Sequence, residues 1–121
     1  MNYKFTNSHR EYRKITKPTK DQTMIARTAE FEIKPGKKPV VIEAIEKFTR
    51  TVHVSEPGSR LYVSFQDKKD QNKFIHIMVF ENEGAELKHK TAGYTQEFVD
   101  IVNKVCVKKI IFKEFNFVGG L

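Results

Sequence analysis

Apolar positions repeat every second residue, then at helical spacing, then every second residue again. Met24 to Lys34 places Ile25, Ala29, Phe31 and Ile33 on one face, with Arg27 interrupting, and Ala26, Thr28, Glu30, Glu32 and Lys34 on the other. That alternation predicts a first strand. Pro35-Gly36-Lys37-Lys38 turns the chain, and Pro39 suits the first position of a helix, where a missing N–H costs nothing. Val40, Val41, Ala44, Ile45, Phe48 and Val52 recur at helical spacing opposite Glu43, Glu46, Lys47 and Arg50, predicting a helix from about Pro39 to His53. Glu56-Pro57-Gly58 then forms a corner. The β-rich run from Ser59 to Phe65, the polar turn Gln66 to Asn72 and the apolar run Phe74 to Phe80 read as a hairpin. A short helix follows over Glu83 to Lys90, ending near Gly93, and an amphipathic helix runs from Thr95 to about Val105. The last strand is expected over Lys108 to Phe117, before Gly119-Gly120-Leu121.

The order is β-α-β-β-α-β, the ferredoxin-like α+β pattern: an antiparallel four-stranded sheet with its helices on one face. Yet the third strand is apolar on both sides, with Phe74, Met78 and Phe80 against Ile75, Ile77 and Val79. The last strand likewise sets Ile110 and Phe112 against Ile111, Phe115 and Phe117. A sheet wetted on one face shows polar alternation there. The second face is therefore expected to meet another copy of the chain, sheet against sheet, in a symmetric homodimer.

Composition narrows the class further. A chain of 121 residues, 39% hydrophobic with ten Phe, makes one domain with a short appendage. The expected division is a basic N-terminal arm over 1–23 and a domain over 24–121. The arm is either laid on the domain or a partner, or is a poorly ordered leader before Met24. No apolar run approaches the ~20 residues of a membrane span, and Met1 to Phe5 opens no apolar signal segment. The one cysteine, Cys106, excludes an internal disulfide, and a reducing, cytoplasmic location is expected. No Cys/His spacing resembles a metal site, so none is expected. The net charge of +7 suggests nucleic acid, but +4 of it belongs to residues 1–23. The body of the domain is mixed in sign, as a solvated surface is.

Three short motifs carry a family resemblance. They are Phe31-Glu32-Ile33-Lys34-Pro35-Gly36 closing the first strand, Glu56-Pro57-Gly58-Ser59-Arg60-Leu61-Tyr62 opening the second, and Phe80-Glu81-Asn82-Glu83-Gly84-Ala85 joining the third strand to a helix. Over roughly Met24 to Val118 the chain resembles the antibiotic biosynthesis monooxygenase-like domain of the dimeric α+β barrel group. His89 falls where many relatives carry a histidine. The resemblance implies a dimer and, in some members, oxygenation of phenols and hydroquinones without metal or flavin, so no cofactor is expected. The haem-degrading branch uses a first-strand asparagine and a third-strand tryptophan. Ala29 and Phe80 stand at the corresponding positions, and that branch is disfavoured.

Cofactor-free oxygenation needs a dry aromatic pocket, a base working near neutral pH and donors that orient an anion. His89 is the first candidate base, although Lys88 and Lys90 beside it suit a surface histidine, the plainer reading. His76 interrupts an apolar strand and suits a buried, hydrogen-bonded core histidine as well as a substrate contact. Tyr62 could orient a substrate oxygen, or simply pack its ring and bond locally. Phe80 is expected to line the pocket. Glu56 reads as a turn residue, His53 as a helix-end charge and Cys106 as a small core residue. RNA-recognition domains share the element order, but Ile25-Ala26-Arg27-Thr28 and Lys73 to Phe80 lack their stacking signatures, so nucleic acid is not an expected partner. The function implied is oxygenation of a small aromatic or quinol substrate. The alternative is a non-catalytic dimeric module that binds a small ligand in the same pocket.

Overall fold

The computed structural model describes residues 23–121; the expected basic arm lies outside the described residues, apart from Thr23. The elements run β1 (Ile25–Glu32), α1 (Lys38–Ser55), β2 (Ser59–Gln66), β3 (Lys73–Phe80), α2 (Glu83–Thr91), α3 (Gly93–Val105) and β4 (Ile111–Asn116). The four strands form one antiparallel sheet in the order β2-β3-β1-β4, the ferredoxin-like α+β arrangement expected from the sequence.

Helix α1 follows its apolar spacing closely: Val41, Ile45, Phe48 and Val52 are its buried residues, and Pro39 stands in its first turn. It runs past His53 to Ser55, because the Glu56 N–H still donates to the Val52 carbonyl. Helix α2 starts where the Asn82 side chain accepts from the Ala85 N–H at 2.9 Å, with Glu83 and Glu86 in the first turn and Lys88, His89 and Lys90 in the last. Cap and charges both complement the helix ends. Ala92, extended at ψ 139°, ends α2 and begins α3. β4 starts later than expected, at Ile111; the chain leaving α3 first makes an isolated bridge between Cys106 and Ile33, one residue past the end of β1.

Register decides which residues meet. β1 sets Ala29 opposite His76 on β3 and Phe112 on β4, while Tyr62 on β2 pairs with Met78. These residues point towards the helices, where Phe48 stacks on Phe98 at 4.4 Å and Phe31 on Phe74 at 5.4 Å. Each such ring removed from water contributes about 1.5–3 kcal/mol. A bulge between Ser59 and Leu61 adds one residue to β2. It lets Ser59 and Tyr62, three positions apart, face the same side of a sheet whose normal period is two. Gly58 sits where the corner approaches α2: a Cβ there would lie 2.7 Å from the Ala85 Cβ.

The opposite face of the sheet carries Val63, Phe65, Ile75, Ile77, Ile111 and Phe115. Phe65 is 54% exposed and Phe115 50%. Among the described residues no helix is long and apolar enough to cross a membrane.

Candidate functional site

Glu56 is the C-cap of α1, where the Pro57-Gly58 corner turns its side chain inward and leaves it 3% exposed. This is a poor place for a carboxylate: it is dry, and the helix dipole is negative there. Three donors offset that cost. Ser59 Oγ donates at 2.6 Å, the Tyr94 hydroxyl donates to Oε2, and His89 Nδ1 lies 2.9 and 3.1 Å from the two oxygens. Burial, then the nearby carboxylate, pushes the Tyr94 phenol up to about 12, so it stays a donor at neutral pH.

His89 is 5% exposed, on the inward side of α2 with Glu86 three positions before it. The surface placement read from its lysine neighbours is not the one found. Lys88 reaches the Ser55 carbonyl at 3.1 Å and Lys90 reaches Glu86 at 3.6 Å, and both flank a helix face that is itself buried. An ionised carboxylate only accepts, so Nδ1 carries the proton it shares with Glu56. A neutral ring then has a lone pair on Nε2, which is left for the cavity that His89 lines. Burial lowers the His89 pKa below its usual 6.5, opposed by Glu56 and more weakly by Glu86. The ring is thus a neutral, basic imidazole at pH 7.

His76 is 1% exposed, with Nδ1 3.0 Å from the Tyr62 hydroxyl and Nε2 without a hydrogen-bond partner among the described residues. Burial, with a contribution from the Glu56 charge, raises the Tyr62 phenol above its usual value, so it keeps its proton. Burial, then proximity to His89, lowers the His76 pKa to about 4, so the ring is neutral. If Tyr62 donates to Nδ1, one polar group is left over, the Nε2–H. If Nδ1 donates instead, both the Tyr62 proton and the Nε2 lone pair lack partners. The first arrangement leaves fewer buried groups unpaired and is therefore the stable one. The two imidazoles consequently have opposite polarity: His89 presents an acceptor and His76 a donor.

Both rings line one cavity of about 390 Å³ between the sheet and helices α2 and α3, with Phe31, Phe48, Phe80 and Phe98 among its walls. Its size is at the lower end of small-molecule pockets. Arg27 and Glu86 also line it, paired at 2.9 Å between Nε and Oε2 and 3.5 Å between Nη2 and Oε1. Glu114 and Lys90 stand beside that pair with exposed side chains, marking the mouth. Thr95 lines the cavity from the first turn of α3.

His89, Tyr62, His76 and Phe80, the residues expected at a site, all line this cavity. Sequence reasoning missed Glu56, which forms the turn expected of it through Ser59 N–H to its carbonyl at 3.0 Å but also holds His89. It also missed Tyr94, Thr95 and Glu86. Arg27 had left a signal, as the one charge on an apolar strand face. His53, expected only as a helix-end charge, also lies 3.2 Å from the Tyr62 carbonyl through Nε2. Among the described residues no group of three or more His, Cys, Asp and Glu side chains is arranged to hold a metal ion.

The sequence profile of the antibiotic biosynthesis monooxygenase family matches residues 24–101. A crystal structure from Caulobacter crescentus, named as a candidate antibiotic biosynthesis monooxygenase, superposes with a TM-score of 0.76 at 16% identity, covering 82% of this chain and 93% of its own. Another, named an antibiotic biosynthesis monooxygenase, gives 0.73 at 20% identity over 78% and 99% of the two chains. A conserved protein from Methanosarcina mazei gives 0.72 at 14% identity over 80% and 95%. At these identities the likeness concerns the fold. No curated protein matches the chain. The family profile spans well over half of the sequence, and the chain belongs to the antibiotic biosynthesis monooxygenase family.

Proposed function

We propose that this chain is a cofactor-independent monooxygenase for a small aromatic or quinol substrate, with His89 as the base. One observation carries the reading: two neutral imidazoles of opposite hydrogen-bond polarity line one apolar, aromatic-walled cavity. A phenolic O–H needs an acceptor for its proton and a donor for the oxyanion left behind. His89 Nε2 supplies the first, steadied by Glu56, and His76 Nε2–H supplies the second. Tyr62 orients His76, and Phe80 packs beside His89 with ring centroids 5.2 Å apart.

The chemistry balances with a hydroquinone and O2 alone. His89 takes one phenolic proton, and the phenolate passes an electron to O2. The substrate radical and superoxide combine into a C–O bond, and the peroxide takes the proton back from His89. Cleavage of the O–O bond with loss of the ring C–H proton releases water and leaves a hydroxyquinone. The substrate supplies every electron, one oxygen atom enters the product and the other leaves as water. The dry aromatic wall suits this sequence, because water would quench the radical pair and screen the donor.

The same reading includes a homodimer formed through the outer sheet face. Strands β2, β3 and β4 contribute large apolar side chains there, while β1 adds Ala26 beside Thr28 and Glu30, the last paired with Lys113 at 3.3 Å. Exposed apolar surface of this kind on a small domain marks an interface. A reducing, cytoplasmic setting belongs to the proposal as well.

The test is oxygen consumption by the purified protein across a panel of hydroquinones and naphthols. Saturable uptake with a product heavier by one oxygen atom, less the hydrogens lost, supports oxygenation. Binding of panel members without uptake replaces it with the ligand-binding module.

A further inference from the structure

Four threonines lie in the helices, and three satisfy their hydroxyls in the same way. Thr49 donates to the Ile45 carbonyl at 2.9 Å, Thr51 to Lys47 at 2.9 Å and Thr91 to Leu87 at 2.8 Å, each reaching back four residues. This is the usual resort of a helical hydroxyl. Thr95 differs. Four residues before it stands Thr91, which belongs to α2, and the extended Ala92 between them carries that carbonyl out of reach. The Thr95 hydroxyl is left without a hydrogen-bond partner among the described residues, although the residue is only 8% exposed.

The cavity that Thr95 lines also holds two more buried polar atoms without a hydrogen-bond partner among the described residues. Glu86 Oε2 is met by the Arg27 ion pair at 2.9 Å, which leaves His76 Nε2. The two atoms come from different layers: His76 from the middle of β3, and Thr95 from the first turn of α3. Phe98, one helical turn after Thr95, stacks on the His76 ring with centroids 5.5 Å apart and an interplanar angle of 22°. The ring that would lie against a flat ligand therefore connects the two unpaired groups. Leaving either group dry and unpaired costs free energy in the empty protein, and a ligand oxygen at each removes that cost.

We infer that the cavity recognises an aromatic ligand carrying two separated oxygen functions, one held by His76 and the other by Thr95, with Thr95 acting as a specificity-determining residue. The inference rests on the proposed function only in taking this cavity as the ligand site. Thr95 does no chemistry in it. A hydroxyl both donates and accepts, so it serves a phenol or a carbonyl oxygen. Discrimination follows from the unpaired groups: a ligand with a single oxygen satisfies one and leaves the other buried without a partner.

The probes are 1- and 2-naphthol and the dihydroxynaphthalenes bearing one hydroxyl on each ring, titrated into the protein under nitrogen by calorimetry. At least one diol is expected to bind about tenfold more tightly than the matching naphthol. Thr95→Val should abolish that advantage, so that the diol binds no more tightly than the matching naphthol in the same variant, and Thr95→Ser should keep most of it. Thr95→Val should also raise the melting temperature of the ligand-free protein, because it removes a buried hydroxyl that has no partner. No diol advantage in the unaltered protein, or an advantage that survives Thr95→Val, overturns the inference. These readouts need no oxygen, so a protein that discriminates but does not turn over sinks the oxygenase reading alone. One that turns over without discriminating sinks this inference alone.

Discussion

His89 Nδ1 lies 2.9 Å from Glu56 Oε1, a contact between residues 33 positions apart in the chain and buried on both sides. Glu56 comes from the end of α1 and His89 from the last turn of α2, so the corner at Pro57-Gly58 and the packing of α2 against it decide whether the pair forms. The carboxylate fixes which ring nitrogen carries the proton, and that choice leaves the basic nitrogen for the cavity.

Glu56→Gln keeps the shape but brings an NH₂ group into a pocket already pointed at by three donors. At least one hydrogen bond is replaced by a donor facing a donor. Turnover of any identified phenol is expected to fall about a hundredfold or more, since the imidazole loses its enforced tautomer. Burial lowers the His89 pKa while Glu56 opposes that shift. The acid limb of kcat/KM should therefore lie below pH 6.5 in the unaltered protein and move lower still in Glu56→Gln. A limb that moves upward contradicts the pairing.

Stability should fall as the solution is acidified through the histidine range. His76 has a folded pKa of about 4 against 6.5 for a free imidazole. Between these values the unfolded chain binds a proton that the folded one refuses, so unfolding becomes easier as pH falls. The stabilisation is whole above pH 6.5 and is lost on the way to pH 4. For His76 alone it amounts to about 3 kcal/mol, and His89 acts in the same direction. Urea midpoints measured between pH 7.5 and 4 should show the decline, with a shallower slope in His76→Leu.

Gly58→Ala should lower stability by about 1–3 kcal/mol, because its Cβ would meet that of Ala85 at 2.7 Å. Ala85→Gly alone costs about 1 kcal/mol as a glycine within a helix. Combined, the two should cost less than their sum, since the second removes the atom the first strikes. Additive costs would show that the corner and α2 do not press on each other.

The outer sheet face gives a prediction of mass. Two copies of the 14.1 kDa chain are expected to sediment together at micromolar concentration, and Ile77→Lys, in the middle of that face, should separate them. A single-chain mass for the unaltered protein contradicts the homodimer.

The strands and α1 were legible because their buried residues follow one period each. α1 buries Val41, Ile45, Phe48 and Val52, and β3 alternates cleanly between Phe74, His76 and Met78 on one side and Ile75, Ile77 and Val79 on the other. The site was less legible, for the same physical reason. Helix α2 turns Glu86 and His89 inward, while its one large apolar residue, Leu87, stays exposed. A pattern rule that seeks apolar faces reads such a helix inside out. Glu56 gave no more than a turn signal, since its burial is fixed by Ser59 within the turn and by His89 and Tyr94, 33 and 38 positions away, which meet it only in the folded chain. Thr95 gave none, because its unpaired hydroxyl depends on where α2 breaks.

The most direct measurement is long-range ¹H–¹⁵N NMR of the histidine rings at pH 7. The two cavity imidazoles are expected to be neutral and in opposite tautomers, His89 protonated on Nδ1 beside Glu56 and His76 protonated on Nε2 beside Tyr62. That result supplies one acceptor and one donor to a phenolic substrate. A charged ring at either position, or the same tautomer at both, contradicts the account, because the cavity would then lack its base or the donor for the anion.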